Sequence, residues 1–177
     1  MKIAPLSPRL QQGVSLLVVL ILLLIMTLLG LAAMRGSILQ ERMAANLTDR
    51  NLAFQAAETA LRDGETLAQG FALASVPASG CSGGMCSRPV ATDTDRWKDA
   101  SFTGWVNASS GVSTNAMTPQ YFVEFMGMAP TWPGCDLIDE ANRSPLCMAP
   151  RYRVTARSRS NDGSRAEVIL QSNYLVQ

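Results

Sequence analysis

The chain opens with two hydrophobic patterns that follow one another without a break. Residues 14–34 contain no charged side chain and consist mostly of Val, Leu and Ile, so as a helix they are long enough to cross a hydrocarbon core about 30 Å thick. Residues 35–68 do carry charges, and their apolar side chains recur at helical intervals. These positions are Leu39, Met43, Leu47, Phe54, Ala57 and Leu61. No proline interrupts residues 14–68, so we predict one helix with a transmembrane half and an amphipathic half whose stripe packs against a domain.

The remaining residues, 69–177, are predicted to form a globular head. Residues 70–100 are rich in Gly, Ser, Pro and Thr, which is typical of loops. Short apolar runs at 102–106 and 120–128 predict two strands. Alternating patterns at 152–157 and 166–174, on either side of Asp162-Gly163, predict a hairpin with a tight turn. The predicted fold class is therefore α+β, a long helix packed on a small antiparallel sheet of about four strands.

Composition gives no support to catalysis or to nucleic-acid binding. The chain has no histidine, which removes the commonest general base and the commonest metal ligand. Its formal net charge is +1, whereas a nucleic-acid surface needs clustered basic residues. Arg151, Arg153 and Arg157 share one face of a predicted strand, and a solvated face is a commoner explanation for them than a binding patch. We predict no enzyme activity, no cofactor, no metal site and no nucleic-acid partner.

Four cysteines, Cys81, Cys86, Cys135 and Cys147, all follow the transmembrane segment. An even number of cysteines in a small domain favours disulfides in an oxidising compartment, which places the head in the periplasm. A four-cysteine zinc site is the alternative, but the close paired spacing of a zinc ribbon is missing. Proximity alone favours pairing Cys81 with Cys86 and Cys135 with Cys147, and the other two connectivities stay open.

The first 13 residues form a short basic leader with Lys2, Arg9 and no acidic residue, ending in Gly13. This leader, followed by V-S-L-L and an uncharged helix, resembles the leaders of type IV prepilins. The resemblance implies that a prepilin peptidase cuts between Gly13 and Val14 and that Val14 is then N-methylated. A signal-anchor helix that is never processed is the alternative.

Residues 50–61, RNLAFQAAETAL, and the final hairpin, residues 152–176, complete a wider resemblance. Together with the leader and the long helix they resemble the PilX family of minor type IV pilins. The resemblance implies a type IV pilin-like fold, with residues 1–13 as leader, 14–34 as assembly helix, 35–68 as its amphipathic half and 69–177 as the head. It also implies a single-pass inner-membrane protein that moves into the extracellular pilus.

The function implied by this resemblance is that of a minor pilin in the complex that initiates pilus assembly and sits at the pilus tip. Its partners would be the prepilin peptidase, other minor pilins, the major pilin and a large tip adhesin, and it would support adhesion and twitching motility. Two other functions remain open from the sequence: a minor pseudopilin of type II secretion, and an unprocessed membrane-anchored periplasmic binding module.

One position in the transmembrane half departs from the pilin pattern. Val18 would be the fifth residue of the mature chain, where most pilins carry a glutamate that can pair with the amine of a neighbouring subunit. An unpaired charge in an apolar filament core is costly. We therefore hypothesise that Val18 marks a subunit for the end of the filament, where one neighbour is absent.

Overall fold

The computed structural model describes residues 14–109 and 117–176. Its longest element is the helix α1, Val14–Gly70, which is continuous across both predicted halves. The leader, including Gly13, lies outside the described residues. The chain divides into two compact units, one ending at Ala45 and the other beginning at Asn46.

The first unit consists, in its described part, of residues 14–45 of α1. Its apolar side chains are exposed in the isolated chain, with Val14 at 71% and Val18 at 48%. By length and composition, α1 is the one helix among the described residues that could cross a membrane. This agrees with the membrane-spanning role predicted for residues 14–34.

The second unit is the head, in which residues 46–70 of α1 accompany a sheet. The sheet has six strands. They are β1 (Cys81–Ser82), β2 (Met85–Cys86), β3 (Val106–Asn107), β4 (Met117–Pro130), β5 (Met148–Ser160) and β6 (Ile169–Leu175). The strand order is β1-β2-β4-β5-β6, and β3 also pairs with β4. The α+β class with a long helix on a sheet is confirmed.

The sheet is larger than predicted, and it is mixed where an antiparallel sheet was expected. β1 and β2 arise within residues 70–100, predicted as loop, because positive-φ glycines at Gly83 and Gly84 allow a tight reversal between them. β2 then runs parallel to β4, with Met85 opposite Val123. The strand predicted at 102–106 is only Val106–Asn107, since Phe102 and Trp105 leave the ladder to pack on Phe122.

The two long strands β4 and β5 form the centre of the sheet, and β6 continues it as the second arm of the predicted hairpin. β4 exceeds its predicted bounds and contains a register shift between Phe125 and Gly127, where Gly127 has a φ of 99°. β5 and β6 pair antiparallel without a register shift. The hairpin prediction is therefore confirmed.

The tight Asp-Gly turn predicted between these strands is wrong. β6 begins at Ile169 instead of residue 166, because the preceding residues fold as a longer loop. The Asp162 carboxylate accepts hydrogen bonds from Ser164 N, Ser164 Oγ and Ser160 Oγ. These bonds favour the charged form and lower the pKa of Asp162 to about 2. Further along this loop, the chain attaches to α1.

The helix face that packs on the sheet also differs from the prediction. Of the predicted stripe within the head unit only Ala57 is fully buried, while Leu47 and Phe54 are 63% and 47% exposed. The buried positions share small size instead. They are Ala53, Ala56, Ala57, Ala60, Gly64 and Ala68. Large side chains dominate a hydrophobicity pattern, whereas a helix that approaches a sheet closely has room only for small ones.

Gly64 marks the closest part of this approach. A Cβ atom added there would lie 2.5 Å from Val154 Cγ1 and 3.1 Å from Tyr121 Cδ2. The adjoining core contains Ala68, Met85, Val123, Tyr152 and Val154, with Leu61, Leu67 and Phe71 packed against it. The Tyr152 hydroxyl is buried without a hydrogen-bond partner in the described part of the chain, and burial raises its pKa. The Tyr152 side chain therefore packs in an apolar core at the cost of a hydrogen bond from its hydroxyl.

Candidate functional site

Three carboxylates of α1 attach the helix to the head. Asp49 accepts hydrogen bonds from Arg165 Nη1 at 2.9 Å and from the Ala166 backbone N–H at 2.8 Å. Asp63 accepts from the Ser109 N–H at 2.8 Å, and Glu65 accepts from Ser172 Oγ at 2.7 Å. These three side chains fix the helix against the loop after β5, the end of β3 and strand β6.

Several large apolar side chains of α1 are uncovered, both in the first unit and in the head unit. Leu39, Met43 and Leu47 follow one another at intervals of four residues and are each more than 60% exposed. Within the head unit, Phe54 and Leu52 are 47% and 42% exposed. Covering such a side chain is worth about 1.5–3 kcal/mol. Each of these side chains is therefore suited to contact with lipid or with another protein.

The sheet face opposite α1 contains a buried charge network centred on Glu124. The Glu124 side chain is 0% exposed and accepts from Arg96 Nη1 at 2.7 Å and from Arg153 Nε at 2.7 Å. Arg96 also donates to the Ser87 carbonyl at 2.9 Å. A buried carboxylate needs such paired donors, because an unpaired buried charge costs several kcal/mol. The network connects the segment 87–96 to the two central strands.

A second group of side chains on the same sheet face surrounds Arg157. Its guanidinium lies 3.9 Å from the centre of the Trp105 ring and donates to Gln120 Oε1 at 2.8 Å and 3.0 Å. Burial lowers the pKa of Arg157, partly opposed by Glu167. Trp105 in turn packs edge-on against Phe122 at 4.7 Å. The segment 96–105 therefore covers this face of the sheet.

These contacts change the interpretation of the arginine-rich strand. The sequence left a solvated face or a binding patch as alternatives, and for Arg153 and Arg157 neither applies, because their side chains are only about 20% exposed and are internally paired. Arg151 is exposed, as expected. The role of Glu124 was missed, although a signal exists: it is the one charge in the apolar run 120–128, and a buried acid in a strand needs a basic partner.

Both disulfides follow the pairing that proximity favours. Cys81–Cys86 joins β1 to β2, and Cys135–Cys147 closes the connection between β4 and β5. All four cysteines are consumed in these bonds, so the zinc alternative has no ligands. Arg143 stiffens the second loop by donating to the carbonyls of Asp136 and Ile138. The loops of the head are thus fixed covalently.

Comparison with known families identifies the chain. Residues 12–62 match the family model described as PilX N-terminal. Residues 57–176 match the model described as Type IV pilus assembly protein PilX C-term. The chain belongs to the PilX family. The resemblance carried by residues 50–61 and 152–176 is confirmed, and the match extends over the cysteine-containing middle that the sequence analysis did not align.

As a PilX protein, the chain is a type IV pilus assembly protein. The family is one of pilus structural and assembly proteins and is not a known enzyme family. Neither a curated protein nor a solved structure gives a significant match. Of the predicted processing residues, Val14 is the first residue of α1 and Gly13 lies outside the described residues. Val18 lies in the first turns of α1 with an exposed side chain. Val14 and Val18 therefore lie in the first unit, and the disulfides lie in the head.

The Glu124 network generates a stability prediction. Glu124→Gln keeps the side-chain shape but leaves Arg96 and Arg153 without a buried counter-charge, so we expect the free energy of unfolding to fall by about 3 kcal/mol. The measurement is urea unfolding of the full chain in detergent. Glu167→Gln is the matched control: its 3.8 Å pair with Arg157 is partly exposed, and its loss should cost about 1 kcal/mol or less. Equal effects of the two variants would contradict this role of Glu124.

Proposed function

We propose that this PilX protein is a minor type IV pilin that helps initiate pilus assembly and forms part of the pilus tip complex. The observation that carries the proposal is the continuous helix α1, whose uncovered apolar residues begin at Val14 and extend into the head. A membrane can cover the first part before assembly, and helices of other pilins can cover it afterwards. The family match supports a pilus over a type II secretion piston.

The proposed maturation begins at the cytoplasmic end of α1. The prepilin peptidase cuts between Gly13 and Val14, and the new amine of Val14 is N-methylated. Val14 is the first described residue of α1, so a chain cut there keeps all of the described helix. The head, with its two disulfides, occupies the periplasm before assembly. After assembly the subunit lies at the extracellular tip.

The proposed partners follow from this position. Other minor pilins and the major pilin contact the apolar side of α1, and a large tip adhesin contacts the head. Through them the protein supports adhesion and twitching motility. Since α1 is fixed to the head by Asp49, Asp63 and Glu65, a partner that binds residues 46–70 of the helix also positions the sheet.

Val18 supports a special position within the filament. A freshly cut amine at a helix N-terminus is an unfavourable charge for the helix dipole, and in most pilins a glutamate of the adjacent subunit can offset it. Val18 offers no such acceptor to a neighbour. A subunit of this kind is best tolerated at the tip, where no further subunit depends on that carboxylate.

Processing is tested by Gly13→Val in pilus-producing cells. We expect the variant to retain its leader, stay in the inner membrane and reduce the number of surface pili. The reason is that an uncut basic leader would have to enter the apolar filament together with the helix. The measurements are the mass of the N-terminal peptide and a count of pili by electron microscopy. Gly30→Ala is the matched control, since a Cβ at Gly30 meets no atom within 4 Å, and it should be processed and piliated normally. Normal piliation with an uncut Gly13→Val chain would refute the proposal.

The role of Val18 is tested by Val18→Glu, with Val19→Leu as the control that leaves the segment apolar. If the missing carboxylate restricts the subunit to the tip, the glutamate should let it enter along the whole shaft without loss of piliation. Immunogold labelling of sheared pili measures its distribution. Unchanged tip placement of Val18→Glu would show that position 18 does not decide where the subunit lies.

A further inference from the structure

The two edges of the sheet in the head differ in how they are paired. The outer edge of β4 is paired twice, with β3 at Gln120 and Tyr121 and with β2 at Val123 and Glu124. The opposite side ends at β6, and no described strand pairs with its outer edge. Edge strands present rows of main-chain donors and acceptors that attract another strand. β6 is thus the position at which the sheet can be extended.

Hydrogen bonds at the two ends of β6 show which main-chain groups point outward. Ser158 N donates to Val168 O, and Val176 N donates to Pro150 O. In an antiparallel pair, residues that bond to the partner alternate with residues whose N–H and C=O point away. The main-chain N–H and C=O groups of the even-numbered residues of β6 therefore point toward β5. The outward donors and acceptors belong to Ile169, Gln171, Asn173 and Leu175.

β6 also lacks the usual protection of an edge strand. Such strands commonly carry lysine, proline or a β-bulge that discourages pairing. Ile169–Leu175 contains no charged residue and no proline, and its register with β5 is unbroken. Ile169 is 39% exposed. A regular seven-residue edge strand of this kind is open to pairing with another strand.

We propose that the outer edge of β6 binds an extended strand of a different protein of the pilus complex, by β-strand addition. This inference rests on the proposed function. Main-chain groups at four alternating positions select a strand as the occupant, because only an extended chain presents donors and acceptors at the same spacing. On the face opposite α1, apolar Ile169 and Leu175 flank Gln171 and Asn173, so the partner strand carries polar side chains between apolar ends.

A second copy of this chain fits the edge poorly. If two β6 strands paired antiparallel, residues 46–70 of the two helices would run in opposite directions on one face of the joined sheet, whereas the subunits of one filament run in the same direction. If they paired parallel, the helices would lie on opposite faces of the joined sheet and could not pack together. The strand therefore comes from a different protein.

The test removes one outward N–H and nothing else from the ladder. Asn173→Pro deletes a donor that only the incoming strand uses, and proline is tolerated in an edge strand when its missing N–H faces away from the sheet. Asn173→Ala, which keeps the N–H, is the matched control. Each full-length variant is expressed with the other minor pilins in pilus-producing cells, extracted in detergent and measured for the amount of each pilin that co-purifies.

We expect Asn173→Pro to lose the protein that supplies the strand while proteins that contact only α1 still co-purify, Asn173→Ala to retain all of them, and the two variants to have similar unfolding midpoints. Co-purification of Asn173→Pro at the wild-type level would overturn the edge proposal while leaving the proposed function intact. If wild type recovered no other pilin, the proposed function would fail, and this inference with it.

Hydrogen exchange on the wild-type complex keeps the proposal testable even if the proline variant does not fold. The amides of Gln171 and Asn173 should exchange freely in the isolated chain and become protected in the complex, while Ser172 is protected in both. Free exchange in the complex, or a complex that contains only copies of this chain, would overturn the proposal.

Discussion

Close packing between α1 and the sheet is the constraint on which the head depends. Only small residues fit between them, and at Gly64 even a Cβ would meet Val154 at 2.5 Å. Because the helix backbone comes so near, the short side chains of Asp49 and Asp63 can reach backbone N–H groups of the head. In the same stretch of helix, Leu52 and Phe54 stay 42% and 47% exposed. The small residues thus build the head, and uncovered apolar side chains remain on the helix.

The second face and the edges of the sheet determine how the rest of the head is arranged. Its second face is closed by residues 96–105, so Glu124 is buried and needs both Arg96 and Arg153. β2 and β3 occupy one edge, and disulfides fix the loops at Cys81–Cys86 and Cys135–Cys147. With two faces and one edge covered, the edge of β6 is the part of the described sheet that stays open to another strand.

The sequence predicted those features that strong local patterns determine: the uncharged span, the continuous helix, the β5–β6 hairpin and the PilX relationship. It did not predict features that depend on distance between elements. Alanine and glycine add little to a hydrophobic stripe, so Ala53, Ala60 and Gly64 were passed over in favour of Leu47 and Phe54. Two-residue strands leave no periodicity, and the loop at 161–168 depends on Asp49, far away in sequence. Glu124 stands out in the sequence as the one charge in an apolar run, but the sequence does not indicate that Arg96 and Arg153 pair with it.

The most direct measurement of the close packing is the unfolding free energy of Gly64→Ala against Gly70→Ala, both as full chains in the same detergent. Alanine is the better helix former by about 1 kcal/mol, so at Gly70, where a Cβ meets no atom within 4 Å, the substitution should be neutral or stabilising by up to that amount. At Gly64 the added methyl must displace Val154 and Tyr121, and we expect a net loss of about 1–3 kcal/mol. A Gly64→Ala protein as stable as wild type would contradict the close approach of helix and sheet.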